Sequence, residues 1–255
     1  MILDKLVEAT KKRYEGKNNI EEIKELSDKR IISNPNFFYE AIEKPNISFI
    51  CEVKKASPSK GIISEDFPYL EIAKKYNECA DVISVLTEPD YFLGSDKYLS
   101  EIKNIVKIPV LRKDFIISEY QIYEAKAIGA DAILLIVAIL TKEELNNYLN
   151  LAHKIGLGCL VEAHDEEEVK IAVESGARVI GVNNRNLKDF SIDMNNSIKL
   201  RNLAPRSVKF VSESGIKTRE DIKTLQDNYV DAVLIGETLM RSKDIIKSIG
   251  ELKND

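Results

Sequence analysis

Glu52, Lys54, Lys113, Glu162, Asn183, Arg185 and Glu213 each stand at, or just past, the end of a short apolar run. Two residues before four of them lies an aliphatic side chain: Ile50 before Glu52, Leu111 before Lys113, Leu160 before Glu162 and Val211 before Glu213. In extended backbone, residues i and i+2 share a face. Each ionisable group therefore continues a face that is otherwise built for burial. An unpartnered buried charge costs roughly several kcal/mol per ion, so these groups must meet one another or solvent. A single Lys or Glu at a strand end reads as a solvated loop residue. Five of eight runs ending this way read instead as one site. Two lysines and three glutamates in one place shift one another's pKa values and supply a general acid and a general base.

A second signal lies near the C-terminus. "SESGI" (212–216) and "LIGETLM" (234–240) place Gly215 and Gly236 just after apolar runs. Glycine lets backbone approach a ligand closely, and helix-start N–H groups bind anions; the plainer alternative is two tight turns. Glu237 is expected to offer its backbone N–H to an anion while its carboxylate points away. Phe92, Phe115 and Leu187 lie just past three of the runs and serve either as rim packing or as the wall for an aromatic ring. His153 and His164 read as a helix-surface and a loop histidine rather than as catalysts.

The elements that must position these groups alternate regularly. Strand-like runs occupy 47–53, 81–86, 109–115, 132–137, 159–163, 179–184, 208–213 and 232–236. Helix-period segments follow each of them, over 68–79, 97–106, 118–129, 142–156, 165–176, 194–204, 218–228 and 240–253. Eight β-then-α units argue for a parallel sheet closed into an α/β (β/α)8 barrel. An echo supports it: "CADVISVL", "GADAILLI", "GARVIGV" and "YVDAVLIG" recur about every 50 residues, twice the unit length. An open doubly wound sheet shares the local pattern but needs a Gly-rich turn after its first strand, and "KKASPSKG" is not one. Residues 1–46 carry two helical stripes, Ile2/Leu3/Leu6/Val7 and Ile20/Ile23/Leu26. They are expected to form an N-terminal helical extension packed on the barrel or over one end of it, within a single domain spanning 1–255.

Composition narrows the class. The 255 residues are 44% hydrophobic and 31% charged with net charge −5, which is ordinary globular usage and gives no footprint for nucleic acid. The longest apolar run, "AILLIVAIL" (132–140), falls short of the ~18 residues of a membrane span. No signal-peptide core is present at the start. Cys51, Cys79 and Cys159 are far apart and odd in number, which suits a reducing cytoplasm without disulfides. Neither histidine makes a metal-ligand spacing with them, so no metal is expected.

Taken in order, "EVKKASPSKG", "YFLGS", "LRKDFI", "LLIVAIL", "LVEAH", "IGVNNRNL", "VSESGI" and "LIGETLMRS" make the chain similar, over essentially its whole length, to the indole-3-glycerol phosphate synthase family of tryptophan biosynthesis. The resemblance implies a TIM barrel with an N-terminal helical extension. It implies conversion of 1-(2-carboxyphenylamino)-1-deoxyribulose 5-phosphate to indole-3-glycerol phosphate with loss of CO2 and water, and no cofactor. By the same resemblance Lys113 is the general acid, and Lys54 holds the anthranilate carboxylate with Arg185 and Ser57 nearby. Glu162 acts in dehydration, with Glu52 and Asn183 bracketing the reacting hydroxyl, and Glu213 orients the lysines. Ser214, Gly215, Gly236 and Glu237 hold the phosphate by backbone. Pro58, Phe92, Phe115, Leu134, Leu187 and Leu234 wall the ring. The expected partner is a phosphorylated small molecule, with neither nucleic acid nor membrane; the protein is expected to be a monomer or weak homo-oligomer, without a fused isomerase domain after the eighth unit. Two alternatives are a Schiff-base aldolase with Lys113 or Lys54 as nucleophile and a non-catalytic phosphate-binding barrel.

Overall fold

Each of the eight apolar runs becomes a strand in the computed structural model, which describes residues 2–17, 19–186 and 189–253. They are β1 (Ser48–Val53), β2 (Val82–Leu86), β3 (Val110–Lys113), β4 (Ala132–Ile136), β5 (Gly158–Ala163), β6 (Val179–Asn183), β7 (Lys209–Glu213) and β8 (Ala232–Ile235). All pair in parallel with their neighbours in sequence, and β8 closes on β1. The expected (β/α)8 barrel is therefore the fold. A two-stranded hairpin, Ala56–Ser57 with Gly61–Ile62, follows β1.

The alternation of side chains divides the core in two. Ile50, Val82, Leu111, Ala132, Leu134, Leu160, Val179, Val211, Ala232 and Leu234 face inward and fill the barrel. The other face of each strand, such as Cys51, Val85, Ile133, Val161 and Val233, packs under the surrounding helices. These are the two buried faces that a parallel barrel requires.

The recurring "(A/V)D" before a strand has a structural job. Asp81, Asp131 and Asp231 each precede a strand, and each accepts at Oδ2 the backbone N–H of the neighbouring strand: Phe49, Val110 and Phe210, all at 2.8 Å. The aspartate's own N–H returns a bond to the carbonyl of the same residue. Two adjacent strands are thereby pinned in register at the bottom of the barrel. In the fourth copy Arg178 replaces the aspartate, stacking over the Tyr39 ring at 3.6 Å.

The N-terminal segment forms three helices where the sequence predicts two: α1 (Ile2–Tyr14), α2 (Ile20–Asp28) and α3 (Phe37–Ile42); α4 (Tyr69–Cys79), α5 (Asp96–Lys103), α6 (Glu119–Ile128), α7 (Lys142–Lys154) and α8 (Glu166–Glu174) follow the first five strands. At six residues, α3 is too short to show a helical stripe, yet it places Phe38 and Ile42 in the barrel-interior cluster. Gly158 at the start of β5 makes room for it, because a Cβ there would lie 2.7 Å from the Phe38 ring.

The other end of α1 is held by charge. Arg112, on the outer face of β3 and fully buried, donates to Asp96 at 2.8 Å, Glu124 at 2.9 Å and the Tyr14 hydroxyl at 3.1 Å. Tyr14 in turn donates to Glu124, and Arg13 pairs with Asp114 at 2.7 Å. Burial pushes the carboxyls of Asp114 and Glu124 upward, but Arg112 outweighs it, helped by Arg13 and Tyr14 respectively, so both lie below the ordinary range. A depressed carboxyl stabilises the fold above its unfolded value and stops doing so as pH falls through the folded one. Arg112→Leu should therefore lower stability at neutral pH by about 3–5 kcal/mol, the usual cost of stranding buried charges, and the deficit should shrink as pH falls and the stranded carboxylates take up protons. Denaturant and pH melts check this; an unchanged midpoint would show that the cluster does not anchor α1.

Candidate active site

Above the apolar layer of the barrel interior, the same inward faces carry Glu52, Lys113, Glu162, Asn183 and Glu213. The register sets Asn183 beside Glu213 and Glu162 beside Gly181. Ile50 lies below Glu52, Leu111 below Lys113, Leu160 below Glu162 and Val211 below Glu213, as the i/i+2 pattern predicts. They open into a mouth of about 510 Å³ at the C-terminal ends of the strands, a size suited to one small molecule.

Lys113 is the hub. Its Nζ lies 2.5 Å from Glu213 Oε2 and 3.4 Å from Glu162 Oε2. Glu162 Oε1 accepts from Asn183 Nδ2 at 3.4 Å. Asn183 Oδ1 then accepts from the Ser214 hydroxyl at 3.0 Å and the Arg185 N–H at 3.1 Å. Burial works against the Lys113 charge, but Glu213, Glu162 and Glu52 outweigh it and raise its pKa. The two carboxylates diverge. Burial raises Glu213, and repulsion from Glu162 and Glu52 adds to this against the pull of Lys113. Burial also works upward on Glu162, but Lys113, His164 and Asn183 together hold it low. One ammonium shared by two carboxylates separates their proton affinities, the arrangement that divides acid and base roles.

Glu52 pairs with Lys54 just past the end of β1, Lys54 Nζ to Glu52 Oε1 at 2.5 Å, because i and i+2 side chains on one strand face are already neighbours. Glu52 also acts by its charge on Lys113 across the mouth.

Two glycines clear space for these groups. A Cβ at Gly181 would collide with Glu213 Oε1, and one at Gly236 would collide with Glu52 Oε1 and lie 3.0 Å from Lys54 Nζ. Gly215 has a different neighbour. With φ +92° it follows Ser214 at φ +69°, and a Cβ on it would lie 2.6 Å from Ile192. Holding Ser214 in the left-handed region costs on the order of 1 kcal/mol. Asn184 offsets this by donating to the Ser214 carbonyl at 3.1 Å.

The remaining expected residues also gather here. Ser57 and Pro58 in the hairpin, Phe92, Phe115, Leu134, Leu234, Arg185, Ser214, Gly215, Gly236 and Glu237 all line the mouth. The Phe92 and Phe115 rings lie 6.2 Å apart as one aromatic wall. Leu187 lies outside the described residues. Glu237 does not turn its carboxylate away from charge: it sits among Arg241 at 3.2 Å, Lys60 at 3.8 Å and Arg185 at 4.0 Å. These cations more than balance it, so the β7–β8 side of the mouth remains favourable to an anion.

Ile2, Leu3 and Leu6 of α1 roof the mouth, so the N-terminal stripe lies over one end of the barrel. Other lining residues escaped the sequence reading. Lys60 and Arg241 stand inside quoted motifs, yet a lone loop cation looks like any solvated one. His164, read as a loop histidine, lies with Nε2 3.3 Å from Glu162 Oε1.

A family model described as indole-3-glycerol phosphate synthase matches residues 3–252. A protein of that name from Ruminiclostridium cellulolyticum is 54% identical over 257 residues, covering 99% of either chain. One of the same name from Endomicrobium trichonymphae is 56% identical over 258 residues, covering 100% of both. Among solved structures, 3-hexulose-6-phosphate synthase from Salmonella typhimurium matches with TM-score 0.66 at 15% identity, over 81% of this chain and 97% of that one. A chain of the tryptophan synthase a2b2 complex from Pyrococcus furiosus matches with TM-score 0.60 at 15% identity, over 80% and 97%. These two likenesses concern the barrel fold alone.

The space left by Gly181 is open to a direct test. Gly181→Ala should leave the barrel folded and push the Glu213 carboxylate off Lys113, beyond the ~3.5 Å limit of a hydrogen bond. A crystal structure of the variant reads that distance. An undisturbed Lys113–Glu213 pair would show that the glycine is not what admits the carboxylate.

Proposed function

The chain belongs to the indole-3-glycerol phosphate synthase family, and on that premise we propose how its barrel mouth divides the work. The enzyme is a carboxy-lyase of tryptophan biosynthesis. It closes the ring of 1-(2-carboxyphenylamino)-1-deoxyribulose 5-phosphate and releases CO2 and water.

A ketone is a poor electrophile until a proton reaches its oxygen. Lys113 is the general acid: its ammonium protonates the carbonyl as the ring carbon bearing the carboxylate attacks. That carbon then loses CO2, and the bonding electrons restore aromaticity. Dehydration follows, with a hydroxyl leaving as water and a proton passing to a base. Glu162 serves that exchange, with Glu52 and Asn183 beside the departing hydroxyl. Lys54, helped by Arg185 and Ser57, holds the anthranilate carboxylate. Phe92, Phe115, Pro58, Leu134, Leu187 and Leu234 wall the ring. The phosphate lies against the backbone of Ser214, Gly215, Gly236 and Glu237, facing the cations around Glu237. Glu213 keeps Lys113 charged and aimed.

The observation that carries this reading is the setting of Lys113. Its Nζ lies between the carboxylates of Glu213 and Glu162, over an apolar floor, and they favour the ammonium. A Schiff-base nucleophile needs the neutral amine, which those carboxylates disfavour, so the acid role is preferred to the aldolase one. A pure phosphate binder needs none of this set.

The reading extends to a single-domain, cofactor-independent cytoplasmic enzyme acting as a monomer or weak homo-oligomer, without nucleic acid. Its support is compositional: net charge −5 and three scattered cysteines. No described helix is long and apolar enough to cross a membrane.

Indole absorbance after addition of the carboxyphenylamino-deoxyribulose phosphate tests the assignment. Lys113→Met should bind substrate normally and lose about 10²–10⁴ in kcat; near-parental turnover would sink the acid role. Glu162→Gln should slow after ring closure, so rapid quench should reveal an accumulated intermediate. A change in KM alone would make Glu162 a binding residue instead.

A further inference from the structure

His164 stands one residue past the end of β5, two residues beyond Glu162. Its ring is clamped from the far side. Nδ1 lies 2.9 Å from Glu168 Oε2 on the first turns of α8 (Glu166–Glu174), and the same oxygen accepts the His164 backbone N–H at 2.8 Å. The His164 carbonyl accepts from Asn196 Nδ2 at 3.2 Å. Both handles fix the imidazole so that Nε2 reaches Glu162 Oε1 at 3.3 Å. Nε2 is buried and makes no hydrogen bond; the 3.3 Å approach lies off the hydrogen-bonding direction and acts through charge.

We propose that His164, as an imidazolium held by Glu168, is a positioning residue for Glu162: it keeps that carboxylate ionised and directs its Oε2 toward the substrate. The inference rests on the proposed role of Glu162 and deepens it. The argument turns on what happens when Lys113 is used. Lys113 sits 3.4 Å from Glu162 in the free enzyme, but its proton is wanted at the substrate carbonyl. Once the ammonium engages there, the cation that stays within 4.0 Å of Glu162, among the described residues, is His164. With Oε1 occupied by His164 and Asn183, Oε2 is the oxygen left free to take a proton during dehydration.

The charged groups around the ring support the ionised state. Glu162 faces it from β5, Glu168 from α8, and Asp165 adjoins it in the chain; Lys113 and Glu213 stand behind Glu162. Burial works against the imidazolium, but Glu162 and Glu168 outweigh it and bring His164 up to about 10. His153, the other histidine, moves the opposite way, lowered by burial and by Arg178. With two histidines in the chain, imidazole NMR separates them easily.

The first measurement is that titration on the wild-type protein. His164 should remain charged well past the ordinary histidine value, and Glu168→Gln should bring its pKa down. Titration of wild-type His164 near its ordinary value of ~6.5 would overturn the proposal. The second is kinetic. His164→Gln keeps a donor and removes the charge, so kcat should fall about 10- to 100-fold with KM within about twofold. Losing a cation beside a carboxylate raises its pKa by roughly one unit or more, so the acid limb of the kcat profile should move to higher pH by that amount. Glu168→Gln should move the limb the same way by less, and serves if His164→Gln does not fold. A folded His164→Gln protein with parental kcat, or with reduced kcat and an unmoved acid limb, overturns the inference. A wild-type chain with no turnover but a high-titrating His164 fails the proposed function while supporting the clamp.

Discussion

Lys113 Nζ lies within 3.4 Å of two carboxylates, Glu213 and Glu162, at a depth where all three side chains are largely removed from water. In that setting one ammonium cannot satisfy both acids equally. The nearer partner fixes the lysine, and the farther one is held ionised by Lys113, His164 and Asn183 together. Each other feature of the mouth answers to this sharing. The apolar layer below excludes water and strengthens the charges, Gly181 leaves the space that Glu213 fills, and Asn183 and His164 supply the contacts that Lys113 cannot spare for Glu162.

The strand that carries Lys113 is held from its other face. Arg112 and Lys113 are consecutive, so one points out and the other in. The outward arginine ties β3 to α1, α5 (Asp96–Lys103) and α6 (Glu119–Ile128) through Tyr14, Asp96 and Glu124. Asp114, the next residue, is tied to Arg13. The helix that roofs the mouth with Ile2, Leu3 and Leu6 is thus fastened to the residues on either side of the lysine. A shift of α1 would reach Lys113 through one peptide bond. Building a reactive side chain onto so constrained a strand keeps its geometry independent of loop motion.

Glycine serves this site more by what it omits than by the turns it permits. Gly181 and Gly236 lack the Cβ that would collide with Glu213 and with Glu52. The inner mouth therefore holds carboxylates above the inward apolar residues of the barrel. Gly215 leaves room for Ile192, which lies over the loop after β7 and narrows that side of the mouth.

The sequence by itself determined the strands, their two faces and the residue types at their ends. Period-two alternation states which side chains share a face, which is why Leu111 under Lys113 and Leu160 under Glu162 were legible from spacing alone. The aspartate echo was visible too, though its purpose, bonding to the backbone of an adjacent strand, required the register. What the tertiary structure alone decided is partnership. Glu52 found its nearest cation two residues away, Glu237 settled among Lys60, Arg185 and Arg241, and α1 covered the opening with its aliphatic stripe. His164 gained its place because α8 begins where Glu168 can hold the ring against Glu162. Periodicity encodes direction from the backbone, whereas an ion pair depends on distances of a few ångströms between chain segments tens of residues apart, and those distances exist only once the barrel has closed.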